Sequence, residues 1–394
     1  RGLVGSEMCI RDRYYQKYNE RVFIMKQRFK KHVALTLISL MLLSLIGCGK
    51  PASTETTTTT ETAVTEAPAS ISDAATTADS TPADASEEGS DAQTVYPVTV
   101  TDQAGREVTI EKEPESIVSG YYISTSLLLA LGLKDKVTGI EAKADKRSIY
   151  KLAAPEFLEL PNVGTAKEFD LETCASLSPE LVILPMKLKD AAQSLSELDI
   201  PVLLVNPESE DQLEQMIELV STATNTKGNA DALLSYIDEK KEMLEKDLSG
   251  VDAKSVYLAG NSSLLSTAGP AMYQSGLIEL AGGKNAASEI TDTYWAEISY
   301  EQLLAWDPSY IILASDAEYT PEDVLNDENL KECTAVKNGN VYAIPGDIEA
   351  LDSPVPGGIL ASIWLAGILH PDQVSADMYT EEKAAFYETF YGIK

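Results

Sequence analysis

Two glutamates occupy matching positions in two similar segments of this chain. Residues 170–179 (DLETCASLSP) and 299–308 (SYEQLLAWDP) align at a constant offset of 129, so that an N-cap residue, a glutamate and a proline coincide. Asp170 and Ser299 are favourable helix N-caps, and Ser299 followed by Gln302 fits a capping box. Each segment therefore predicts a short helix with an acidic first turn.

The glutamates of these first turns, Glu172 and Glu301, have two possible roles. Each could complement the positive end of its helix, a contribution of about 0.3–1 kcal/mol. A helix dipole requires only some acidic residue in the first turn, whereas here the same turn position is used twice. The repetition favours a pair of exposed carboxylates for a two-fold partner that offers one basic residue to each half of the protein.

The scarcity of histidine limits the metal and catalytic chemistry that this chain can perform. There are two His residues, and only His370 lies in the main body. Receptors for bare Zn²⁺ or Mn²⁺ usually combine several His with carboxylates, and no nucleophile elbow, Walker loop or HExxH motif occurs. Cys174 and Cys333 fall in different halves, so we expect buried core residues rather than a disulfide. The sequence thus predicts a protein that is not an enzyme and has no metal ligands of its own.

The net charge excludes two classes of partner. The 394 residues include 62 Asp and Glu against 31 Lys and Arg, a net charge of −31. A surface this acidic repels nucleic acid, because it offers few cations to replace the counterions of the phosphate backbone. It is equally unsuited to lying flat on an anionic membrane leaflet.

The amino-terminal quarter is predicted to consist of segments with no role in ligand binding. Residues 1–24 precede a good initiator, Met25, and fit no targeting pattern, so we expect them to be a spurious translation. Residues 25–47 combine a basic start with an apolar run of 14 residues, shorter than the about 20 that a transmembrane helix needs. They are therefore predicted to be a signal peptide.

The signal peptide ends in a sequence that resembles the lipobox of bacterial lipoproteins, LIGC, which contains Cys48. The resemblance implies cleavage before Cys48 and lipidation of its thiol, so that the lipid is the only membrane attachment and the protein is extracytoplasmic. The rest of residues 48–94 is rich in Thr, Ser, Ala and acidic residues. Such a composition predicts a disordered tether.

The body of the protein alternates apolar strand patterns with helical patterns. This order predicts an α/β protein with two lobes, each a mostly parallel sheet flanked by helices. We assign residues 95–226 to the amino-terminal lobe, 227–250 to one long interlobe helix and 251–394 to the carboxyl-terminal lobe, with a ligand cleft between the lobes. The opening residues 98–110 predict a hairpin. Strands are predicted at residues 116–119, 137–141, 181–184, 202–205, 255–259, 310–313 and 341–344.

Several short motifs of this body, taken in order, resemble a known family. They include DQAGREV at 102–108, LPNVG at 160–164, ISYE at 298–301 and AVKNGNVY at 335–342. The chain resembles the substrate-binding proteins of ABC importers for iron–siderophore complexes, haem and vitamin B12, the class with a helical hinge. The resemblance covers essentially all of residues 95–394.

The resemblance implies a partner and a ligand. Glu172 and Glu301 would dock onto arginines of the two subunits of an ABC permease, which works with a cytoplasmic ATPase, and the binding protein would act as a monomer. The ligand would be a small-molecule metal complex, most simply an Fe(III)–siderophore chelate, with a corrinoid or haem as alternatives. No cofactor is implied. A surface sensor or adhesin that uses the same fold is the alternative from another functional class.

The resemblance to this family also predicts which residues line the ligand cleft. Where the family often has a Pro-x-x-Thr-Glu stretch after its first strand, this chain has GYYISTS at 120–126. The aromatic residues among the candidates would pack on ligand faces and the lysines would meet anionic oxygens, although each could instead be a core aromatic or a solvated charge. The candidates are Tyr121, Tyr122, Lys167, Lys187, Tyr273 and Trp295.

Overall fold

A computed structural model describes residues 93–291 and 293–394. The predicted signal peptide, Cys48 and nearly all of the tether lie outside the described residues. The described chain begins with the predicted hairpin, in which β1 (Val98–Thr101) pairs antiparallel with β2 (Glu107–Ile110). Gly105 lies in the turn at a φ of 76°, a left-handed conformation that glycine adopts without steric cost.

The amino-terminal lobe is built on a four-stranded parallel sheet in the order β4-β3-β5-β6. Its strands are nearly continuous runs of apolar residues, because helices cover both faces of a parallel sheet. The strands are β3 (Ile117–Ser119), β4 (Val137–Gly139), β5 (Leu181–Pro185) and β6 (Val202–Val205). The helices of this part of the chain are α1 (Tyr122–Ala130), α2 (Ser148–Ala153), α3 (Leu171–Ser176), α4 (Lys189–Ser196) and α5 (Glu210–Thr224).

The carboxyl-terminal lobe repeats this plan with a parallel sheet in the order β12-β11-β7-β9 and adds a small antiparallel pair, β8–β10. Its strands are β7 (Lys254–Ala259), β8 (Ser266–Ala268), β9 (Gly283–Asn285), β10 (Trp295–Glu297), β11 (Tyr310–Leu313) and β12 (Val341–Ala343). The helices after the linking helix α6 (Lys227–Asp247) are α7 (Tyr273–Leu280), α8 (Tyr300–Trp306), α9 (Pro321–Leu325), α10 (Thr334–Asn338), α11 (Ile359–Leu369) and α12 (Ala376–Tyr391). The predicted fold of two parallel-sheet lobes flanked by helices is confirmed.

The linking helix α6 (Lys227–Asp247) has 21 residues and is therefore about 30 Å long. It buries Leu233, Ile237 and Leu244 along one face, as the helical spacing predicts. Lys240 on this helix donates a hydrogen bond of 2.7 Å to Glu382 of α12. The C-terminal helix is thus fastened to the linking helix by a half-buried ion pair as well as by apolar contacts.

The two lobes share one apolar core. Leu127 and Leu128 of the amino-terminal lobe belong to the same buried cluster as Ile363 and Phe386 of α11 and α12. Because this core is continuous and close-packed, large relative motions of the lobes would expose apolar surface. The packing is consistent with a stiff hinge.

The two cysteines of the body lie in different smaller clusters. Cys174 packs in one and Cys333 in the other, both fully buried and both free thiols. Burial raises the pKa of Cys174 to about 12, so the thiol stays protonated and unreactive. Their predicted role as core residues is confirmed.

Candidate functional site

The carboxyl ends of parallel strands form the edge of each sheet where ligands bind in open α/β folds. In the amino-terminal lobe, β3 ends at Ser119 and is followed by Gly120; in the other lobe, β7 ends at Ala259 and is followed by Gly260. Both glycines sit under side chains. A Cβ on Gly120 would lie 2.6 Å from a methyl group of Leu184, and one on Gly260 would lie 3.0 Å from the ring of Trp295.

Helix α1 carries the contacts that join the lobes at this edge. Tyr122 and Ser126 lie four residues apart and so on one face of the helix. The hydroxyl of Tyr122 donates a hydrogen bond of 2.9 Å to Ser353, and the hydroxyl of Ser126 donates to Glu349. Both acceptors belong to the loop that follows β12 in the other lobe.

Between the lobes lies a cavity of about 40 Å³. One water molecule needs about 10–15 Å³ on this scale, so the cavity has room for a small oxyanion. Both lobes contribute to its wall. The lining residues that could bind a ligand are Tyr122, Lys146, Arg147, Ser148, Asp316 and Glu349.

Arg147 is the principal cation of this wall, and it was not predicted from the sequence. Its guanidinium lies 4.0 Å from the ring centroid of Tyr122, a cation–π arrangement. Within residues 93–291 and 293–394, Arg147 makes no side-chain hydrogen bond or ion pair, so its N–H groups are available to a ligand. Its position after the predicted strand at residues 137–141 was the available signal, because loops at that end of a parallel strand face the cleft.

Two buried carboxyl groups accompany Arg147. Glu349 is 6% exposed, and its burial raises its pKa to about 7 despite hydrogen bonds from Ser126 and Tyr387. Glu141 accepts hydrogen bonds of 2.7 Å from Thr125 and 2.6 Å from Tyr150, and burial raises its pKa as well. Glu349 lines the cavity, whereas Glu141 is not part of its wall.

The predicted ligand residues occupy different environments. Tyr122 lines the cavity, and the ring of Tyr121 meets it edge to face with centroids 5.4 Å apart. Trp295 is 41% exposed and covers Gly260 at the end of β7. Tyr273 is only 3% exposed, because its hydroxyl packs against the backbone of Gly358. The structure therefore places Tyr273 in the core and Trp295 at the surface.

The two predicted lysines lie in exposed turns and are not part of the cavity wall. Lys167 belongs to a turn in which its backbone N–H donates a hydrogen bond of 3.2 Å to the hydroxyl of Thr165. Lys187 lies in a single 3₁₀ turn directly after β5. Lys146 and Arg147 are the basic side chains that line the cavity.

The matched glutamates lie where the repeat predicts, in the first turns of the short helices α3 and α8. Both side chains are exposed. The side chain of Asp170 accepts a hydrogen bond from the backbone of Thr173 (2.9 Å) and that of Ser299 from the backbone of Gln302 (3.2 Å). The carboxylate of Glu301 accepts a hydrogen bond from its own backbone N–H and a weaker one from the side chain of Ser299. Both hydrogen bonds lower the pKa of Glu301.

The predicted capping box at Ser299 is incomplete. The side chain of Gln302 donates to Glu289 at 3.3 Å instead of returning to the backbone of Ser299. Glu289 also accepts a hydrogen bond of 2.9 Å from the indole N–H of Trp306. The carboxylate of Glu289 thus attracts the glutamine away from the cap.

The described residues contain neither a metal-binding cluster nor a membrane-spanning helix. No group of three or more His, Cys, Asp or Glu side chains in the described ranges is arranged to hold a metal ion. None of the helices in this part of the chain combines the length and the apolar character that a membrane span requires.

Residues 117–348 match the sequence model of a family described as periplasmic binding protein. The chain belongs to the periplasmic binding protein family. Its matched region runs from the first strand of the amino-terminal sheet to the residue before Glu349, so it includes residues of both walls of the cleft. Proteins of this family bind solutes for ABC transporters and do not catalyse reactions.

Relatives and solved structures agree with this membership. YvrC of Bacillus subtilis, an uncharacterized ABC transporter substrate-binding lipoprotein, is 28% identical over 273 residues, which are 66% of this chain and 82% of YvrC. The molybdate-binding protein MolA of Haemophilus influenzae is 24% identical over 319 residues, 74% of this chain and 90% of MolA. The crystal structure of a periplasmic solute binding protein from Veillonella parvula superimposes with a TM-score of 0.67 at 26% identity, covering 75% of this chain and 93% of that one. More distant relatives include a petrobactin-binding protein of B. subtilis and cobalamin-binding proteins of Halobacterium salinarum.

The family match and these relatives together show that this chain is a substrate-binding protein of an ABC importer.

Proposed function

We propose that this protein captures an iron(III) chelate of the siderophore type between its lobes and delivers it to an ABC permease. The observation that carries the proposal is the position of Arg147. Its guanidinium is held over Tyr122 on the cavity wall, while its N–H groups stay free of hydrogen bonds within the described residues.

The chemistry of this wall suits an anionic chelate. A guanidinium binds carboxylate and catecholate oxygens through paired, charge-assisted hydrogen bonds. Lys146 adds a second positive charge, and the ring of Tyr122 offers an apolar face. Tyr121 and Trp295, which lie near the strand ends, are proposed to contact the organic part of the chelate once the lobes separate, and Lys167 and Lys187 are proposed to attract it from the rim.

The size of the cavity supports a second candidate, a tetrahedral oxyanion. A volume of about 40 Å³ accommodates such an ion with the interlobe hydrogen bonds of Tyr122 and Ser126 in place. The molybdate-binding relative covers more of this chain than YvrC does. A ferric chelate, by contrast, is larger than this volume and would extend beyond it. Corrinoid and haem remain the alternatives among larger ligands, because such complexes can be held by shape without an axial histidine.

Delivery is proposed to follow the symmetry of the fold. Glu172 and Glu301, one on each lobe, would engage basic residues of the two permease subunits, with the ATPase on the cytoplasmic side. Lipidation of Cys48 would hold a monomeric receptor at the outer face of the cell membrane. Surface placement alone would equally serve a sensor or adhesin, so dependence on the permease is the property that distinguishes transport.

A ligand panel tests the proposal directly. Isothermal titration with ferric petrobactin, ferric citrate, cyanocobalamin, haemin and molybdate is expected to give the tightest binding for a ferric chelate, with the iron and the organic chelator retained together in native mass spectrometry. If molybdate is the only ligand that binds tightly, the proposed ligand is a tetrahedral oxyanion and not a ferric chelate. Retention of a bare transition-metal ion by the purified protein would contradict both ligand classes.

A further inference from the structure

We propose that binding of an anionic ligand group beside Arg147 is coupled to the uptake of one proton by Glu349. The inference rests on the proposed function, because it assumes that the ligand presents negative charge to the cavity. It goes further in assigning Glu349 a role in setting how ligand affinity depends on pH.

Glu349 is placed to sense both the ligand and the lobe contact. It lines the cavity together with Arg147. One carboxyl oxygen accepts from the hydroxyl of Ser126 on the opposite lobe, and the other accepts from the hydroxyl of Tyr387 at 3.1 Å. The hydroxyls of Ser126 and Tyr391 are 2.9 Å apart. These neighbours are hydroxyl groups, which can donate to a carboxylate or accept from a carboxylic acid after a simple rotation. The pocket therefore accommodates both protonation states.

Arg147 is the charged group that acts on Glu349. It comes from the loop before α2 and favours the ionised carboxylate through space. The nearby cations Lys383 of α12 and Lys146 are engaged with other carboxylates, Asp347 at 2.6 Å and Asp145 at 3.6 Å. Among the described residues, Glu349 has no ion-pair partner within 4.0 Å.

The remaining titratable groups near Glu349 do not supply positive charge. Tyr387 and Tyr391 of α12 are neutral phenols whose burial raises their pKa. Tyr122 of α1 is half-buried, and desolvation raises the pKa of its neutral phenol. Asp316, which lines the same cavity, carries negative charge. The carboxylate of Glu349 is thus supported by the field of Arg147 against the cost of burial.

An anionic ligand group would favour the protonated form of Glu349 over the carboxylate. Hydrogen bonding to the ligand neutralises the field of Arg147, and the ligand adds negative charge next to a buried carboxylate. Burial already holds the pKa of Glu349 near 7, so a further rise makes the protonated form dominant at neutral pH. By linkage, the complex then holds more protons than its separate components, and anions bind more tightly as the pH falls.

Titration of the protein between pH 6 and pH 8 measures this coupling. The probes are molybdate and ferric petrobactin, each titrated in buffers of different ionisation enthalpy. In the wild-type protein we expect uptake of close to one proton at pH 8 and a dissociation constant that rises about tenfold from pH 6 to pH 8, as a single group with a midpoint near 7 requires. In Glu349→Gln the dissociation constant should stay at its pH 6 value throughout, with any residual pH dependence reporting the protonation of the probe itself.

Glu141→Gln is the matched control, because Glu141 is also buried and also feels Arg147 but does not line the cavity. It should retain the wild-type pH dependence. Loss of the dependence in Glu141→Gln, or identical behaviour of wild type and Glu349→Gln, would overturn the assignment.

A measurement without ligand separates failure of the coupling from failure of the ligand class. The carboxyl ¹³C resonance of Glu349, identified by its loss in Glu349→Gln, should titrate near neutrality and move to higher pH in Arg147→Gln, which imitates neutralisation by a ligand. Lys146→Gln should leave that midpoint in place. If neither probe binds at any pH, the proposed ligands are wrong while the NMR midpoints still decide the coupling. An ordinary carboxyl midpoint, or one unmoved in Arg147→Gln, refutes it.

Discussion

The hydroxyl of Tyr122, on the first helix of the amino-terminal lobe, donates a hydrogen bond of 2.9 Å to the side chain of Ser353 on the other lobe. The same ring carries the guanidinium of Arg147 on its face. One tyrosine therefore both joins the lobes and positions the principal cation of the cavity. Separating these two roles is the first requirement for understanding how ligand enters.

Tyr122→Phe removes the interlobe hydrogen bond and keeps the ring under Arg147. We expect a loss of about 1 kcal/mol in the free energy of unfolding and a larger radius of gyration in small-angle X-ray scattering, since the lobes separate more readily. Tyr300→Phe is the control, because its hydroxyl bonds to Asp327 at 2.7 Å within one lobe. An equal change of scattering in both variants would show that the hydrogen bond to Ser353 does not hold the lobes together.

Arg147→Gln tests the anion-binding role. Loss of a charge-assisted hydrogen bond should weaken binding of a ferric chelate about 10- to 100-fold, measured by titration calorimetry at constant pH. The melting temperature should fall modestly at neutral pH. Arg147 has no ion pair to lose among the described residues, but the variant loses the contact with the ring of Tyr122 and the favourable field at Glu349. Arg147→Lys keeps the positive charge but lacks the paired N–H donors of the planar guanidinium. Its affinity for the chelate should lie between those of the wild type and Arg147→Gln.

Lys146→Gln is the neighbouring control for this series. Lys146 is exposed and lies 3.6 Å from Asp145, so its removal should reduce affinity far less. A greater loss of affinity in Lys146→Gln than in Arg147→Gln would show that the anion binds at the rim of the cavity.

The elements that position the site follow from local sequence pattern, because buried parallel strands are recognisable as short apolar runs. The strands predicted at residues 202–205 and 310–313 have those same limits in the structure. The small pair β8–β10 was missed, since its strands of three residues mix polar and apolar side chains. Pairing of such strands depends on tertiary contacts rather than on local propensity.

The chemistry of the site was less predictable from the sequence than the fold. Glu349 lies in an irregular loop, and nothing local indicates that it is buried against Ser126, more than 200 residues away. Tyr273 begins a helix at the end of a strand pattern, which suggested the cleft, yet packing against Gly358 buries it. Side-chain burial between lobes is decided by long-range packing, whereas strand and helix limits are largely local.

Trp295 should report ligand binding by fluorescence. A variant with Trp306→Phe and Trp364→Phe leaves Trp295 as the sole tryptophan of the chain. Because its ring is 41% exposed beside Gly260, a ferric chelate that enters the cleft should quench its emission strongly. The converse variant, Trp295→Phe, keeps Trp306 and Trp364. It should bind the chelate with little change in their combined emission, since the indole of Trp306 is fixed to Glu289. Quenching confined to the converse variant would place the ligand elsewhere.

Glu172→Lys and Glu301→Lys should abolish transport and leave ligand affinity unchanged. Both side chains are exposed on short helices outside the cavity wall, and reversing their charge repels a basic permease surface. Uptake of iron-55 chelate by cells with the chromosomal copy replaced measures delivery, and calorimetry measures binding. Glu322→Lys is the matched control, since Glu322 is also exposed in the first turn of a short helix. Transport at wild-type rates in both docking variants would refute the docking role of Glu172 and Glu301, whereas uptake that does not depend on the permease would argue for a sensor or adhesin.

Glu349 should also make the ligand-free protein less stable as the pH rises. Its folded pKa of about 7 lies above the value of about 4.3 for an unfolded chain, so between these values the folded state binds more protons than the unfolded state. The free energy of unfolding therefore falls with increasing pH across this window, by roughly 4 kcal/mol from this group alone, and is level again above it. Glu349→Gln removes the titration. Urea unfolding at pH 5 and pH 8 should then show that this variant gains stability relative to wild type as the pH rises, because the wild-type protein must bury a charge at pH 8. A stability difference between the two proteins that is the same at both pH values would mean that Glu349 does not change its protonation on folding in this range.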